Sequence, residues 1–133
     1  MSANGTKPLI LLVDDSIFEL KVVSARLQQT GYCVITATSG HEALTLARER
    51  RPDLVVLDIW MPGMDGIEVS RRLRDDKSFA EVPIVLLTSH ALSEYLQEGL
   101  EAGADAYIVK PIGEEKLQSL LDELLGGRRP LAA

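Results

Sequence analysis

The stretch "DLVVLDIWMPGMDG", residues 53–66, decides the fold. Leu54, Val55, Val56 and Leu57 follow one another without a polar partner, the composition of a strand covered on both faces. The run stops on a carboxylate, Asp58, and passes through Trp60, Met61, Pro62 and two glycines before "GIEVSRRLRDD" turns amphipathic. Asp65 is expected to cap that helix, a role its short side chain suits. Pro62 and the glycines shape the loop between.

The same unit recurs on either side. "PLILLVDD" is expected to be the first strand, followed by "IFELKVVSARLQQTG" with Ser16 as N-cap, Phe18, Val22 and Leu27 sharing a face, and Gly31 closing the helix. "YCVITA" is a second strand, and Ser39 with Glu42 forms a capping-box pattern opening "GHEALTLARERR". "VPIVLLT" is the fourth strand, with Pro83 at its entry, where a missing N–H matters least. "LSEYLQEGLEAG" follows it, then "AYIVK" as the fifth strand. "GEEKLQSLLDELLGG" carries Leu117, Leu120, Leu121, Leu124 and Leu125 at spacings of three and four, a stripe made to face a sheet. Five strand–helix repeats predict an α/β domain with a doubly wound parallel sheet and helices on both faces. The domain is expected to span 8–125, with residues 1–7 and 126–133 as loose tails.

Composition narrows the function. The chain has 133 residues, 46% of them hydrophobic and 26% charged, the profile of an ordinary globular domain. A formal net charge of −6 argues against direct nucleic-acid binding, which wants a basic surface. No run approaches the ~18 apolar residues of a membrane span, and "MSANGTKP" lacks the apolar core of a signal peptide. A cytoplasmic location is expected. The single cysteine, Cys33, has no disulfide partner and is expected to pack as a small buried hydrophobe.

In an open parallel sheet, ligands gather beyond the carboxyl ends of the strands. The first strand ends on Asp14 and Asp15, the third on Asp58, the fourth on Thr88 and Ser89, and the fifth on Lys110 and Pro111. Each residue alone has a plainer explanation: aspartates after strands commonly cap helices, and a lone threonine or lysine is ordinary. Together they set three acids, a hydroxyl and an ammonium at one edge. Clustered carboxylates raise one another's pKa unless a cation sits among them, and an all-oxygen site suits Mg²⁺. A carboxylate in such a site can act as a nucleophile toward phosphorus, with Lys110 and Thr88 neutralising and positioning the phosphoryl oxygens.

"VDDS", "LDIWMPGMDG", "LLTS" and "GADAYIVKP", in this order and spacing, closely resemble the receiver domain of bacterial two-component response regulators, the CheY-like fold. The resemblance covers residues 8–125 and implies the strand order 2-1-3-4-5, which belongs to that family's fold and does not follow from the spacing alone. It implies that Asp58 is the phosphoacceptor, served by a histidine kinase or a histidine phosphotransfer protein. It implies Mg²⁺ held by Asp15, Asp58 and the backbone carbonyl of Trp60, with Asp14 acting largely through water. Thr88 matches the switch hydroxyl, Lys110 its ammonium partner, Tyr107 the aromatic that turns inward, and Lys110–Pro111 a cis peptide. Ser89 stands where a smaller residue is common and could itself meet the phosphoryl group. Trp60 and His90 occupy positions whose side chains tune phosphoryl lifetime, although His90 as a lone histidine reads first as a surface residue.

The implied function is a phosphorylation-controlled switch, not an enzyme with outside substrates, acting by contact with an unidentified downstream protein as a monomer or a phosphorylation-dependent dimer. Eight residues after Leu125 are expected to leave no room for a DNA-binding module. The alternative is a receiver module cut from a larger regulator or hybrid kinase, with "GGRRPLAA" as a linker. An aspartyl-phosphate phosphatase is disfavoured, since "VDDSIFE" does not carry the D-x-D-x-T pattern of haloacid-dehalogenase-like enzymes. Phosphate-cradling glycine motifs are missing too.

Overall fold

The computed structural model describes residues 7–89, 93–111 and 113–126. Five strands alternate with five helices: β1 (Leu9–Val13), α1 (Ile17–Gln29), β2 (Cys33–Ala37), α2 (Gly40–Arg50), β3 (Leu54–Asp58), α3 (Gly66–Arg74), β4 (Ile84–Thr88), α4 (Ser93–Glu101), β5 (Ala106–Val109) and α5 (Glu114–Gly126). A 3₁₀ turn, Lys77–Phe79, lies between α3 and β4. All pairings are parallel and the order is β2-β1-β3-β4-β5, the CheY-like flavodoxin topology. Of the two tails expected to be loose, all but Lys7 and Gly126 lie outside the described residues, and Gly126 ends α5.

The continuous apolar runs are explained by two cores, one on each face of the sheet. Leu11, Val13, Val55, Leu57, Ile84 and Leu86 point to one side and pack with Ala43, Leu44 and Ala47 of α2 and Ile67, Val69 and Leu73 of α3. Their chain neighbours Ile10, Leu12, Leu54, Val56, Val85 and Leu87 point to the other, against Leu20, Val23 and Leu27 of α1 and Leu117 and Leu121 of α5. The stripe expected on α5 faces the sheet, with Leu120, Leu124 and Leu125 at its half-buried margin.

Two expectations are corrected. Phe18 and Val22 do not share the buried face of α1: Phe18 is 75% exposed, and Leu20, Val23 and Leu27 face the sheet instead. The helix carries two apolar stripes, and the one through Leu20, Val23 and Leu27 joins the core on that face of the sheet, while the Ser16 hydroxyl caps the helix by accepting from the N–H of Glu19 at 3.2 Å. Cys33 is exposed rather than buried, because it opens an edge strand with only β1 for a neighbour. Both edge strands show residues to solvent, Cys33 and Thr36 in β2 and Tyr107 in β5, whereas β3 and β4 are buried throughout.

Candidate functional site

The parallel order aligns the carboxyl ends of β1 and β3, so the acids that follow them become neighbours. Val13 pairs with Leu57, which brings Asp14 beside Asp58 across a chain separation that no local pattern spans. Carboxylate oxygens of Asp14, Asp15 and Asp58 all lie within 4.8 Å of one another. Asp14 and Asp58 are buried, at 3% and 6% exposure, while Asp15 faces solvent. Asp14 is fixed in place: its backbone N–H donates to Ala37, and its Oδ1 accepts from the N–H of Ser16 at 2.9 Å.

The loop after β3 folds tightly over the site. Gly66 donates to the carbonyl of Ile59 at 3.0 Å and opens α3, whose N-cap is Asp65, accepting from Glu68 at 2.9 Å. A Cβ on Gly66 would press on the carbonyl oxygen of Asp58 and lie 3.0 Å from its carbonyl carbon, so only glycine lets the helix begin this close to β3. Gly63 turns the loop at φ 76°, a conformation that glycine adopts without cost. Trp60 is 42% exposed at the mouth, and its backbone N–H donates to the carboxylate of Asp58.

From β4 and β5 come the remaining groups. Thr88 is fully buried at the end of β4, and its carbonyl accepts from the N–H of Lys110 at 2.7 Å. The Lys110–Pro111 peptide is cis. Lys110 Nζ lies 3.1 Å from Asp14 Oδ2 and 3.7 Å from Asp58 Oδ1. Burial pushes the carboxyl of Asp58 up to about 6, with the charges of Asp14 and Asp15 adding to the rise and Lys110 and the Trp60 N–H opposing it. Burial works against the Lys110 ammonium, yet its hydrogen bonds to Glu19 and Asp14 and the charge of Asp58 prevail and hold its pKa above the usual lysine value. Such a pocket of crowded oxygens with one partly shared cation suits a further cation.

The structure therefore brings Asp14, Asp15, Asp58 and Lys110 into one cluster, with the ends of β3 and β4 and Trp60 at its border. Ser89 is exposed and lines, with Lys110 and Pro111, a groove of about 440 Å³ that runs along α1 past Phe18, Val22 and Arg26. Tyr107 is 42% exposed, its side chain on the outer edge of the sheet. His90 lies outside the described residues. One site residue escaped the sequence altogether. Glu19 touches Lys110 at 2.6 Å, although its place three residues after Ser16 reads as a simple capping box.

Comparison with known proteins bears on the family and the fold. Residues 10–122 match the response regulator receiver domain. The chain is 35% identical over 118 residues to protein PilH of Pseudomonas aeruginosa, covering 89% of this chain and 98% of that one. It spans about half the length of other curated relatives, such as 46% of a probable transcriptional regulator of Guillardia theta, with 42% identity over 90% of this chain. The chemotaxis protein CheY4 of Vibrio cholerae superposes with a TM-score of 0.86 at 38% identity, over 90% of this chain and 99% of that one. The receiver domain of a Pseudomonas aeruginosa sensor histidine kinase, 32% identical with a TM-score of 0.84 over 91% and 99% of the two chains, has a magnesium ion coordinated in its active-site cleft.

Proposed function

The chain belongs to the response regulator receiver domain family, the signalling switches of two-component systems, and on that premise we propose that Asp58 accepts a phosphoryl group from the phosphohistidine of a histidine kinase or a histidine phosphotransfer protein. The observation that carries this reading is a buried carboxylate, 6% exposed, with an ammonium 3.7 Å away and two further acids gathered around it. An Asp58 oxygen attacks phosphorus, the P–N bond to the imidazole breaks, and the imidazole leaves with the bonding electrons. Lys110 and the hydroxyl of Thr88 meet the phosphoryl oxygens, with Ser89 at their side.

The donor set fits Mg²⁺, a hard cation that takes a few carboxylates and keeps several waters. Asp15 and Asp58 would hold it directly, together with the carbonyl of Trp60, and Asp14 largely through water. The magnesium in the related kinase receiver supports this assignment. When bound, the ion neutralises charge on the transferring phosphoryl group. The pressure that burial puts on the ionised Asp58 is then relieved by the same cation that the reaction requires.

Phosphorylation adds about −1.5 to −2 charges. That charge draws Thr88 and Lys110 toward Asp58, and Tyr107 turns inward behind Thr88. The edge formed by β5 and α5 then presents a new surface to a downstream protein. The domain acts in the cytoplasm through protein contacts, and its turnover of phosphate is confined to its own Asp58. His90 and the side chain of Trp60 tune how long the phosphoryl group lasts.

The test is incubation with Mg²⁺ and acetyl phosphate, followed by intact-mass measurement. One phosphoryl group is expected on the wild type and none on Asp58→Asn. An unmodified wild type under saturating conditions sinks the switch assignment. Sustained hydrolysis of many equivalents of a phosphomonoester would replace it with a phosphatase.

A further inference from the structure

Lys110 is held more closely by a carboxylate outside the acid cluster than by Asp58. Its ammonium lies 2.6 Å from Glu19 Oε1 and 3.1 Å from Asp14 Oδ2, both hydrogen-bonding distances, but 3.7 Å from Asp58 Oδ1. Glu19 stands in the first turn of α1, three residues after the N-cap Ser16. A glutamate in that position ordinarily turns back to the N-cap N–H and completes a capping box. Here that N–H donates to Asp14 Oδ1 at 2.9 Å instead. The start of α2 shows the contrast: Glu42, three residues after Ser39, accepts from the N–H of Thr38 at 2.8 Å and stays with its own helix terminus.

Asp14 thus takes the donor that would retain Glu19, and Glu19 crosses to β5. The pair is partly sheltered, with side-chain exposures of 44% for Glu19 and 16% for Lys110. Phe18 and Pro111 line the groove in which both residues stand. The ammonium that serves the phosphoryl oxygens is therefore already shared by three carboxylates, and Glu19 is the one that takes no part in the acid cluster.

We propose that Glu19 is a positioning residue for phosphoryl capture, holding the Lys110 ammonium on the α1 side of the site and competing with the incoming phosphoryl group for it. The proposal rests on Asp58 being the phosphoacceptor and names a residue that regulates that step. Capture proceeds once Lys110 exchanges Glu19 for a phosphoryl oxygen, so the strength of this ion pair sets part of the barrier. No bond to Glu19 forms or breaks in the reaction.

The experiment compares initial rates of Asp58 phosphorylation by acetyl phosphate at saturating Mg²⁺ in wild type, Glu19→Gln, Lys110→Ala and the double variant. Glutamine keeps the size and helix position of Glu19 while removing its charge, so the fold is preserved. Glu19→Gln is expected to react about three- to tenfold faster, the range for a half-sheltered ion pair. In the Lys110→Ala background the same substitution is expected to change nothing. A Glu19→Gln rate at or below wild type overturns the proposal. So does an equal acceleration without Lys110, which would make Glu19 a general repeller of anionic donors. A wild type that takes no phosphoryl group overturns the phosphoacceptor assignment itself, whereas a phosphorylated wild type with an unresponsive Glu19→Gln sinks only the role of Glu19.

Discussion

Replacing Asp58 by asparagine should make the metal-free protein more stable. Burial raises the carboxyl of Asp58 from 3.8 to about 6, so its ionised form is disfavoured in the folded state relative to the unfolded chain. Because the folded value lies above the unfolded one, the group costs nothing below about pH 4, where it is protonated in both states. The cost grows as pH rises from about 4 to about 6 and is constant above that. At pH 7 the gap corresponds to roughly 3 kcal/mol, using about 1.4 kcal/mol per tenfold change. Water at the open mouth of the site screens part of it. Asparagine keeps an acceptor for the Trp60 N–H and removes the charge, while Lys110 retains Asp14 and Glu19. The net expectation is a gain of about 2 kcal/mol at pH 7, or roughly 8 °C in melting midpoint for a domain of this size. Circular dichroism melts and urea unfolding in EDTA, at pH 4 and pH 7, measure it. Saturating Mg²⁺ should narrow the gap, since the ion binds the folded wild type and stabilises it by mass action. The reasoning is refuted if Asp58→Asn is no more stable than wild type at pH 7 in EDTA, or if the same gain persists at pH 4.

Three other substitutions probe the scaffold and the mouth of the site. Gly66→Ala sets a methyl against the carbonyl of Asp58; it should lower stability by about 1–3 kcal/mol and slow phosphorylation, checked by urea unfolding and acetyl phosphate kinetics. Arg74 donates to the carbonyls of Phe79, Val82 and Gly103 and to Asp105 Oδ2, clamping the end of α3 to the entries of β4 and β5. Arg74→Met removes four hydrogen bonds at once, although Phe79 O keeps the N–H of Val82 and Asp105 Oδ2 that of Ile84; it should cost about 2–4 kcal/mol, while an unchanged urea midpoint would show the clamp to be dispensable. Trp60→Asn replaces a bulky ring at the mouth with a group able to orient water, and should shorten the lifetime of the phosphoryl group, followed by loss of the modified mass after the donor is removed.

Much of the site was legible because this fold collects chemistry where strands end. Asp14, Asp15, Asp58, Thr88 and Lys110 all follow apolar runs, and each run could be recognised from composition alone. Glu19 was not legible. Its spacing from Ser16 describes a local cap, and only the diversion of the Ser16 N–H to Asp14 frees it to meet a lysine 91 residues away. Phe18 misled for a related reason: two apolar stripes on α1 satisfy the helical period equally, and burial in the core on that face of the sheet selects the one through Leu20, Val23 and Leu27.

The amino-acid sequence by itself determined the alternation of elements, the double coverage of the central strands and the residue types at their carboxyl ends, since each is written in local periodicity. Only the tertiary structure decided which strand lies at an edge, and hence that Cys33 faces water. Tertiary pairing likewise decided that Asp14 and Asp58 crowd one another and that Lys110 leans toward Glu19. Those contacts depend on the pairing of segments distant in the chain. Burial energy fixes that pairing across the whole sheet, so no window of sequence contains it.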